Sequence, residues 1–184
     1  MPKRGVLLVE DETDLQLFPP LRAMWWQKGE PARVLLSGRN ERRVVFGCMN
    51  PVSGHRLFLA RTRQRAEDFQ AFLREVHGHY RGRDVTMLVD GDTSHTAKSS
   101  QDLARRLGIR LLWLPKRSPE LNPMESLWGQ AKDAICVNWQ YATMTEQVKA
   151  FVAQLSGLSN REALQTSGVL SENFWLKPVL SKNF

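Results

Sequence analysis

Two short apolar runs, at residues 5–9 and 85–89, each stop at acidic residues. Apolar runs of this length between polar residues predict strands that are buried on both faces. A carboxylate just past such a strand, as in Asp11 and Asp90, adds little to packing and can hold a divalent cation. Glu125 is a third acid, one turn into a predicted helix. Because Mg²⁺ prefers oxygen ligands and two-metal sites need several carboxylates, these three acids form the candidate site.

The rest of the pattern predicts one α/β domain over residues 1–184, without internal repeats or a linker. Strands are predicted at 5–10, 33–37, 42–49, 56–60, 85–89 and 109–114. Helices are predicted at 64–77, 97–107, from Pro123 onward, at 145–155 and at 159–165. Asn122 is a suitable N-cap, and Ser159-x-x-Glu162 has the form of a capping box. Strands come first and then alternate with helices, which indicates a mixed sheet flanked by helices.

The composition indicates a basic protein whose two cysteines stay reduced. Lysine and arginine outnumber aspartate and glutamate by 26 to 19, giving a net charge of +7 and a pI near 9.8. A solvated basic surface and a polyanionic partner explain this charge equally well, but few proteins need both a basic surface and an acid cluster. Lys116 and Arg117 are one basic pair. The isolated Cys48 and Cys136 lack zinc-site spacing, so we expect free thiols in an intracellular protein.

Each candidate residue also has an ordinary structural interpretation. Asp11 could be a solvated acid at a strand end, and Asp90 could open a turn because it precedes a glycine. Glu125 follows Asn122 by three residues, so its carboxylate could complete a capping box. His95 alone is more often a hydrogen-bonded structural histidine than a catalytic one.

The spacing of these residues favours a functional interpretation. Thirty-four residues separate Asp90 from Glu125, and His95 follows Asp90 by five positions. Glu125 ends the string Ser118-Pro119-Glu120-Leu121-Asn122-Pro123-Met124-Glu125, and Trp128 comes three residues later. This arrangement resembles the catalytic core of the mariner superfamily of DDE transposases, in the branch carried by bacterial insertion sequences.

The resemblance implies a ribonuclease H-like fold with Asp11 on the first strand, Asp90 on the adjacent fourth strand and Glu125 on a following helix. It assigns catalytic metal binding to these three residues, with Mg²⁺ as the cofactor and Mn²⁺ as a substitute. The implied partners are double-stranded DNA, as transposon ends and target, and a second copy of the chain in the active complex. Insertion at TA and a cytoplasmic, nucleoid-associated location are also implied.

Without metal the acids should repel one another, so Asp90→Asn is expected to stabilise the protein slightly.

The chain departs from the family pattern in two ways. Gly91 stands where asparagine is usual, and Asp92 adds an acid where a small neutral residue is common. Family members also carry a helix-turn-helix region before the catalytic core, whereas ten residues precede Asp11. We therefore expect either the catalytic half of a split reading frame, which would act with an upstream DNA-binding polypeptide, or a truncated remnant of the element. The alternatives are an inactive remnant that only binds nucleic acid, or another ribonuclease H-like nuclease.

Tryptophans 25 and 26 lie side by side in a segment without clear periodicity. They could stack on a DNA base or pack in the core, and packing in the core is the favoured expectation.

Overall fold

A computed structural model describes residues 5–116 and 118–183. Arg117, the second member of the basic pair, lies outside the described residues. Five strands form one sheet. Their bounds are β1, Gly5–Gln16; β2, Arg42–Met49; β3, Arg56–Arg61; β4, Asp84–Val89; and β5, Ile109–Trp113. The order across the sheet is β3-β2-β1-β4-β5.

The first three strands form an antiparallel meander, whereas β4 and β5 run parallel to β1. β1 is longer than the predicted residues 5–10. Its parallel pairing with β4 ends at Val9 and Leu88, but its antiparallel pairing with β2 continues to Gln16 and Arg42. The partner strand β2 therefore holds the polar second half of β1 in the sheet.

Helices cover both faces of the sheet, as the sequence predicts. They are α1, Ala66–His79; α2, Thr93–Thr96; α3, Lys98–Arg106; α4, Met124–Ile135; α5, Met144–Gly157; α6, Asn160–Thr166; and α7, Lys177–Asn183. A 3-10 turn at Pro119–Leu121 precedes α4. The apolar residues of α1 and α3 pack on one face, and those of α4 and α5 on the other. The capping box at Ser159 and Glu162 is confirmed, since each side chain accepts the other residue's backbone N–H.

The predicted strand at 33–37 is wrong. Residues 17–41 form an irregular connection from β1 to β2, and Leu35 is 89% exposed. The connection is hydrogen-bonded to the loop after α4. Gln140 Oε1 accepts the backbone N–H of Ser37, and Gln140 Nε2 donates to the Ser37 hydroxyl oxygen. β1 and β3 already pair with the two edges of β2, so the apolar run cannot pair with the strand that follows it in the sequence.

The favoured expectation for the tryptophan pair is also wrong. Trp25 is fully exposed and Trp26 is 50% exposed, so neither is a core residue. Both lie in the irregular connection, where no regular element holds their side chains against the sheet.

The C-terminal segment supports the loop that leads into α4. Leu176 packs with Leu114 and with Leu7 and Val9 of β1. Trp175 donates its indole N–H to the backbone carbonyl of Leu121 at 2.9 Å. Among the described helices, none is both long enough and apolar enough to cross a membrane.

Gly47 provides a test of the packing between sheet and α4. A methyl group at Gly47 would lie 2.5 Å from the ring of Trp128 and 2.9 Å from Phe58. We expect Gly47→Ala to lower the free energy of unfolding by about 1–3 kcal/mol through overpacking. Gly129→Ala, in α4 with no atom within 4 Å of the added methyl, should instead stabilise by about 0.5–1 kcal/mol. Urea denaturation of both variants measures this, and equal effects would contradict the packing.

Candidate active site

The three predicted acids line one cavity of about 450 Å³. Asp11 and Asp90 reach it from neighbouring parallel strands, because β1 and β4 pair through Val9 and Leu88, two residues before each acid. Glu125 reaches it from the first turn of α4. The cavity is therefore built from two strands and a helix that are distant in sequence and fixed by one sheet.

Glu125 does not cap its helix. The backbone N–H of Asn122 donates to the Pro119 carbonyl at 2.8 Å, so it is not available to the Glu125 carboxylate. The Asn122 side chain instead donates to the Glu10 carbonyl at 2.9 Å and accepts the Met124 N–H. Asn122 thereby fastens the start of α4 to β1 and leaves the Glu125 carboxylate directed to the cavity.

The surroundings of Asp11 shift the pKa of its carboxyl group strongly. Burial, followed by the nearby charges of Glu125 and Glu12, raises the pKa of Asp11 to about 8. A hydrogen bond from Trp128 opposes this rise, because the indole Nε1–H donates to Asp11 Oδ2 at 2.9 Å. A buried carboxylate facing other acids is a place where a cation would relieve electrostatic cost.

Strand alternation sends the neighbours of Asp11 to the opposite face of the sheet. There Glu10 and Glu12 meet His95, which is fully buried. The His95 Nε2 atom lies 2.9 Å from Glu12 Oε1 and 3.4 Å from Glu10 Oε2, and Nδ1 lies 2.8 Å from Asp90 Oδ1. Since each ring nitrogen faces a carboxylate oxygen, both carry a proton and the ring is a cation.

The charge balance of this cluster is set by one imidazolium among several acids. Burial alone would lower the pKa of His95, but Glu10, Asp90 and Glu12 raise it to about 12. One cation does not neutralise three carboxylates. Glu10 has the longer contact and is fully buried, and burial raises its pKa well above the ordinary value. The protonated form of Glu10 is therefore more favourable than that of an exposed glutamate.

Among the described residues, Glu10, Glu12 and His95 also form a group whose ligand atoms all lie within 4.8 Å of one another. The three predicted acids line a common cavity but do not belong to so tight a group. In the buried group the His95 ring already supplies the positive charge. The structure thus contains two acidic clusters on opposite faces, and Asp90 contributes to both.

Asp90 is stabilised in its charged form. Its Oδ1 atom accepts hydrogen bonds from His95 Nδ1 and, at 2.9 Å, from the backbone N–H of Asp92. The bond from His95 outweighs burial and lowers the pKa of Asp90. This reverses the expectation that Asp90→Asn would stabilise the protein, because the substitution removes a charge that His95 already balances.

The two departures from the motif have local explanations. Asp92 is the N-cap of α2, and its side chain accepts the Ser94 N–H at 2.8 Å. A Cβ atom added at Gly91 would meet no atom within 4 Å, so close packing does not explain the glycine.

The sequence did not reveal the roles of Glu12, His95 and Trp128. Helical spacing could have indicated that Trp128 lies on the face of Glu125, and strand alternation could have placed Glu12 opposite Asp11. The pairing of Glu12 with His95 joins positions far apart in the chain, and no local pattern predicts it.

The raised pKa of Asp11 predicts a pH dependence. Between the ordinary value of 3.8 and about 8, the folded protein keeps a proton that the unfolded chain releases. Metal-free stability should therefore fall as pH rises through this window, by at most about 1.4 kcal/mol per pH unit from this group. Asp11→Asn lacks this titrating group. The melting temperature of the variant minus that of wild type should therefore increase from pH 5 to pH 8. Thermal melts in chelator measure this, and a constant difference would contradict it.

The chain matches the family model described as DDE superfamily endonuclease over residues 6–152. It is 28% identical over 142 residues to the insertion element IS630 uncharacterized 39 kDa protein of Shigella sonnei, covering 76% of this chain and 41% of the relative. It is 43% identical over 90 residues to the Tc3 transposase of Caenorhabditis elegans, covering 47% and 27%. The chain thus spans less than half the length of these relatives.

Solved structures share the fold. The mariner Mos1 paired-end complex with Mg superposes with a TM-score of 0.71 at 18% identity, covering 96% of this chain and 55% of that one. The Mos1 transposase catalytic domain superposes with a TM-score of 0.60 at 16% identity, covering 95% and 81%. These similarities confirm the ribonuclease H-like fold. Together with the family match over most of the sequence, they establish that this chain belongs to the DDE superfamily of endonucleases, with transposases among its homologues.

Proposed function

We propose that the chain is a transposase catalytic domain that cleaves DNA phosphodiester bonds and transfers the resulting strand, with Asp11, Asp90 and Glu125 as its metal-binding catalytic residues. The observation that carries this proposal is their convergence on one cavity from three separate elements. Because the chain belongs to an endonuclease family, nuclease chemistry is the reaction that we assign to this cavity.

The donor set suits Mg²⁺, with Mn²⁺ as a substitute. Three carboxylates offer hard oxygen ligands. Burial and the charges of Glu125 and Glu12 raise the pKa of Asp11, and no buried cation among the described residues opposes this on that face. Asp11 Oδ1 and Asp90 Oδ2 accept no hydrogen bond from a described residue. When bound, divalent metal would activate the attacking hydroxyl group and stabilise the departing oxygen.

The chain itself would orient the substrate. Lys116 is exposed and is the one basic side chain among the described residues that line the cavity. An ammonium group in a cavity lined by four carboxylates, those of Asp11, Asp90, Asp92 and Glu125, suits a DNA phosphate, which would otherwise be repelled. Ser118, also in the lining, adds a hydroxyl group.

Double-stranded DNA is the proposed partner. A net charge of +7 favours phosphate contact. The homologue from Caenorhabditis elegans is named a transposase, which also supports DNA as the partner. The Mos1 structures include complexes with transposon ends, which supports DNA as the ligand of this fold. We further propose a homodimer in the active complex and an upstream polypeptide for end recognition, in a nucleoid-associated setting. Base stacking by the exposed Trp25 remains the proposed role of the tryptophan pair.

Two other functions stay as alternatives. A remnant would bind metal or nucleic acid without cleavage, and another ribonuclease H-like nuclease would cleave without strand transfer. The Ser118–Glu125 string, which resembles transposases, favours the proposal over a different nuclease.

Plasmid nicking in Mg²⁺ or Mn²⁺ tests the chemistry. We expect nicking by the wild type and a loss of more than about 100-fold in Asp11→Asn, Asp90→Asn and Glu125→Gln, because each removes a metal ligand. Glu120→Gln is the matched control, since Glu120 is exposed in the same loop and does not line the cavity. It should nick like wild type.

Three outcomes separate the alternatives. If metal stabilises the wild type but nothing is nicked, the remnant is supported. If Glu125→Gln nicks as well as Glu120→Gln, the site assignment is wrong. Joining of a pre-cleaved 3′ end to target DNA distinguishes a transposase from a simple nuclease.

A further inference from the structure

We infer that Trp128 and His95 are positioning residues, each of which holds one oxygen of a metal-binding aspartate so that the other oxygen faces the cation. Asp11 would then bind through Oδ1 and Asp90 through Oδ2. This inference rests on the proposed function, because it concerns the same metal site.

Trp128 is a rigid donor to Asp11. Its side chain is 1% exposed, and its ring packs edge-on against Phe58 and stacks on Phe151 at centroid distances of 5.7 and 6.1 Å. The single indole N–H points to Asp11 Oδ2 at 2.9 Å. Gly47, paired with Asp11 across the sheet, leaves the space that the indole occupies. The indole therefore cannot move away without disturbing the core.

His95 holds Asp90 from the opposite face. Its ring is fully buried, with the ring of Phe69 at a centroid distance of 4.3 Å. Nδ1 contacts Asp90 Oδ1 at 2.8 Å and Nε2 contacts Glu12 Oε1 at 2.9 Å. Because Glu12 belongs to β1, His95 joins the loop after β4 to the strand that carries the other aspartate.

Both aspartates thus have one occupied oxygen and one free oxygen before any metal binds. Asp90 Oδ1 takes a second hydrogen bond, from the Asp92 N–H, and is saturated. Hydrogen-bonded outer groups of this kind orient ligating carboxylates, and their loss typically lowers metal affinity by about 10–100-fold.

Trp128→Phe tests the first contact. Phenylalanine keeps an aromatic ring in the core and removes the N–H donor. We expect the Mn²⁺ concentration for half-maximal rise of the melting temperature to increase by about 10–100-fold. Trp139→Phe, at a residue 63% exposed, is the matched control and should titrate like wild type.

Two substitutions of His95 separate positioning from general stabilisation. Asparagine places its amide near the position of Nδ1 and can still donate to Asp90, whereas glutamine places its amide near Nε2 and retains only the contact with Glu12. Both remove the same charge. We expect His95→Asn to require at least about tenfold less Mn²⁺ than His95→Gln for the same thermal shift.

The outcomes distinguish this inference from the proposed function. No Mn²⁺-dependent shift in the wild type would contradict the metal site itself. A normal wild-type shift with Trp128→Phe titrating like wild type would overturn the positioning role of Trp128, and equal titration of His95→Asn and His95→Gln would overturn that of His95. Far-UV circular dichroism establishes which variants fold, and if neither His95 variant folds, Trp128→Phe decides alone.

Discussion

The alternation of side chains along β1 is the constraint on which the site depends. Glu10, Asp11 and Glu12 follow one another in a buried strand, so the middle acid faces α4 while its neighbours face α1. Each face then needs its own positive charge, because buried carboxylates are costly without one. His95 supplies it on the α1 face. The α4 face holds Asp11, Asp90 and Glu125 with no buried cation among the described residues, and we propose that a metal ion supplies the positive charge there.

Asp90 connects the two faces, and this determines how the site is organised. One oxygen belongs to the His95 cluster, while the residue also lines the cavity with Asp11 and Glu125. The hydrogen bond from His95 lowers the pKa of Asp90, whereas burial and the charges of Glu125 and Glu12 raise the pKa of Asp11. Two aspartates at the same level of one sheet therefore have pKa values shifted in opposite directions, and a bound cation would favour the charged form of Asp11.

Much of the fold was predictable because apolar periodicity reports burial directly. The strands 42–49, 85–89 and 109–114 and the start of α4 were found within a few residues. The failures share one cause, which is that they depend on tertiary partners. β1 is extended by its pairing with β2, the run at 33–37 pairs with no described strand, and Trp25 lies outside the core. Likewise the positions of the three acids could be predicted from strand and helix ends, whereas the partners of His95 and Trp128 depend on packing between distant segments.

Anomalous diffraction from crystals soaked in Mn²⁺ locates metal without relying on activity. We expect manganese on the α4 face, bounded by Asp11, Asp90 and Glu125, with Oδ1 of Asp11 and Oδ2 of Asp90 as ligand atoms. Manganese bound instead by Glu10, Glu12 and His95 on the α1 face would contradict it, because His95 would then be a neutral metal ligand rather than the buried cation.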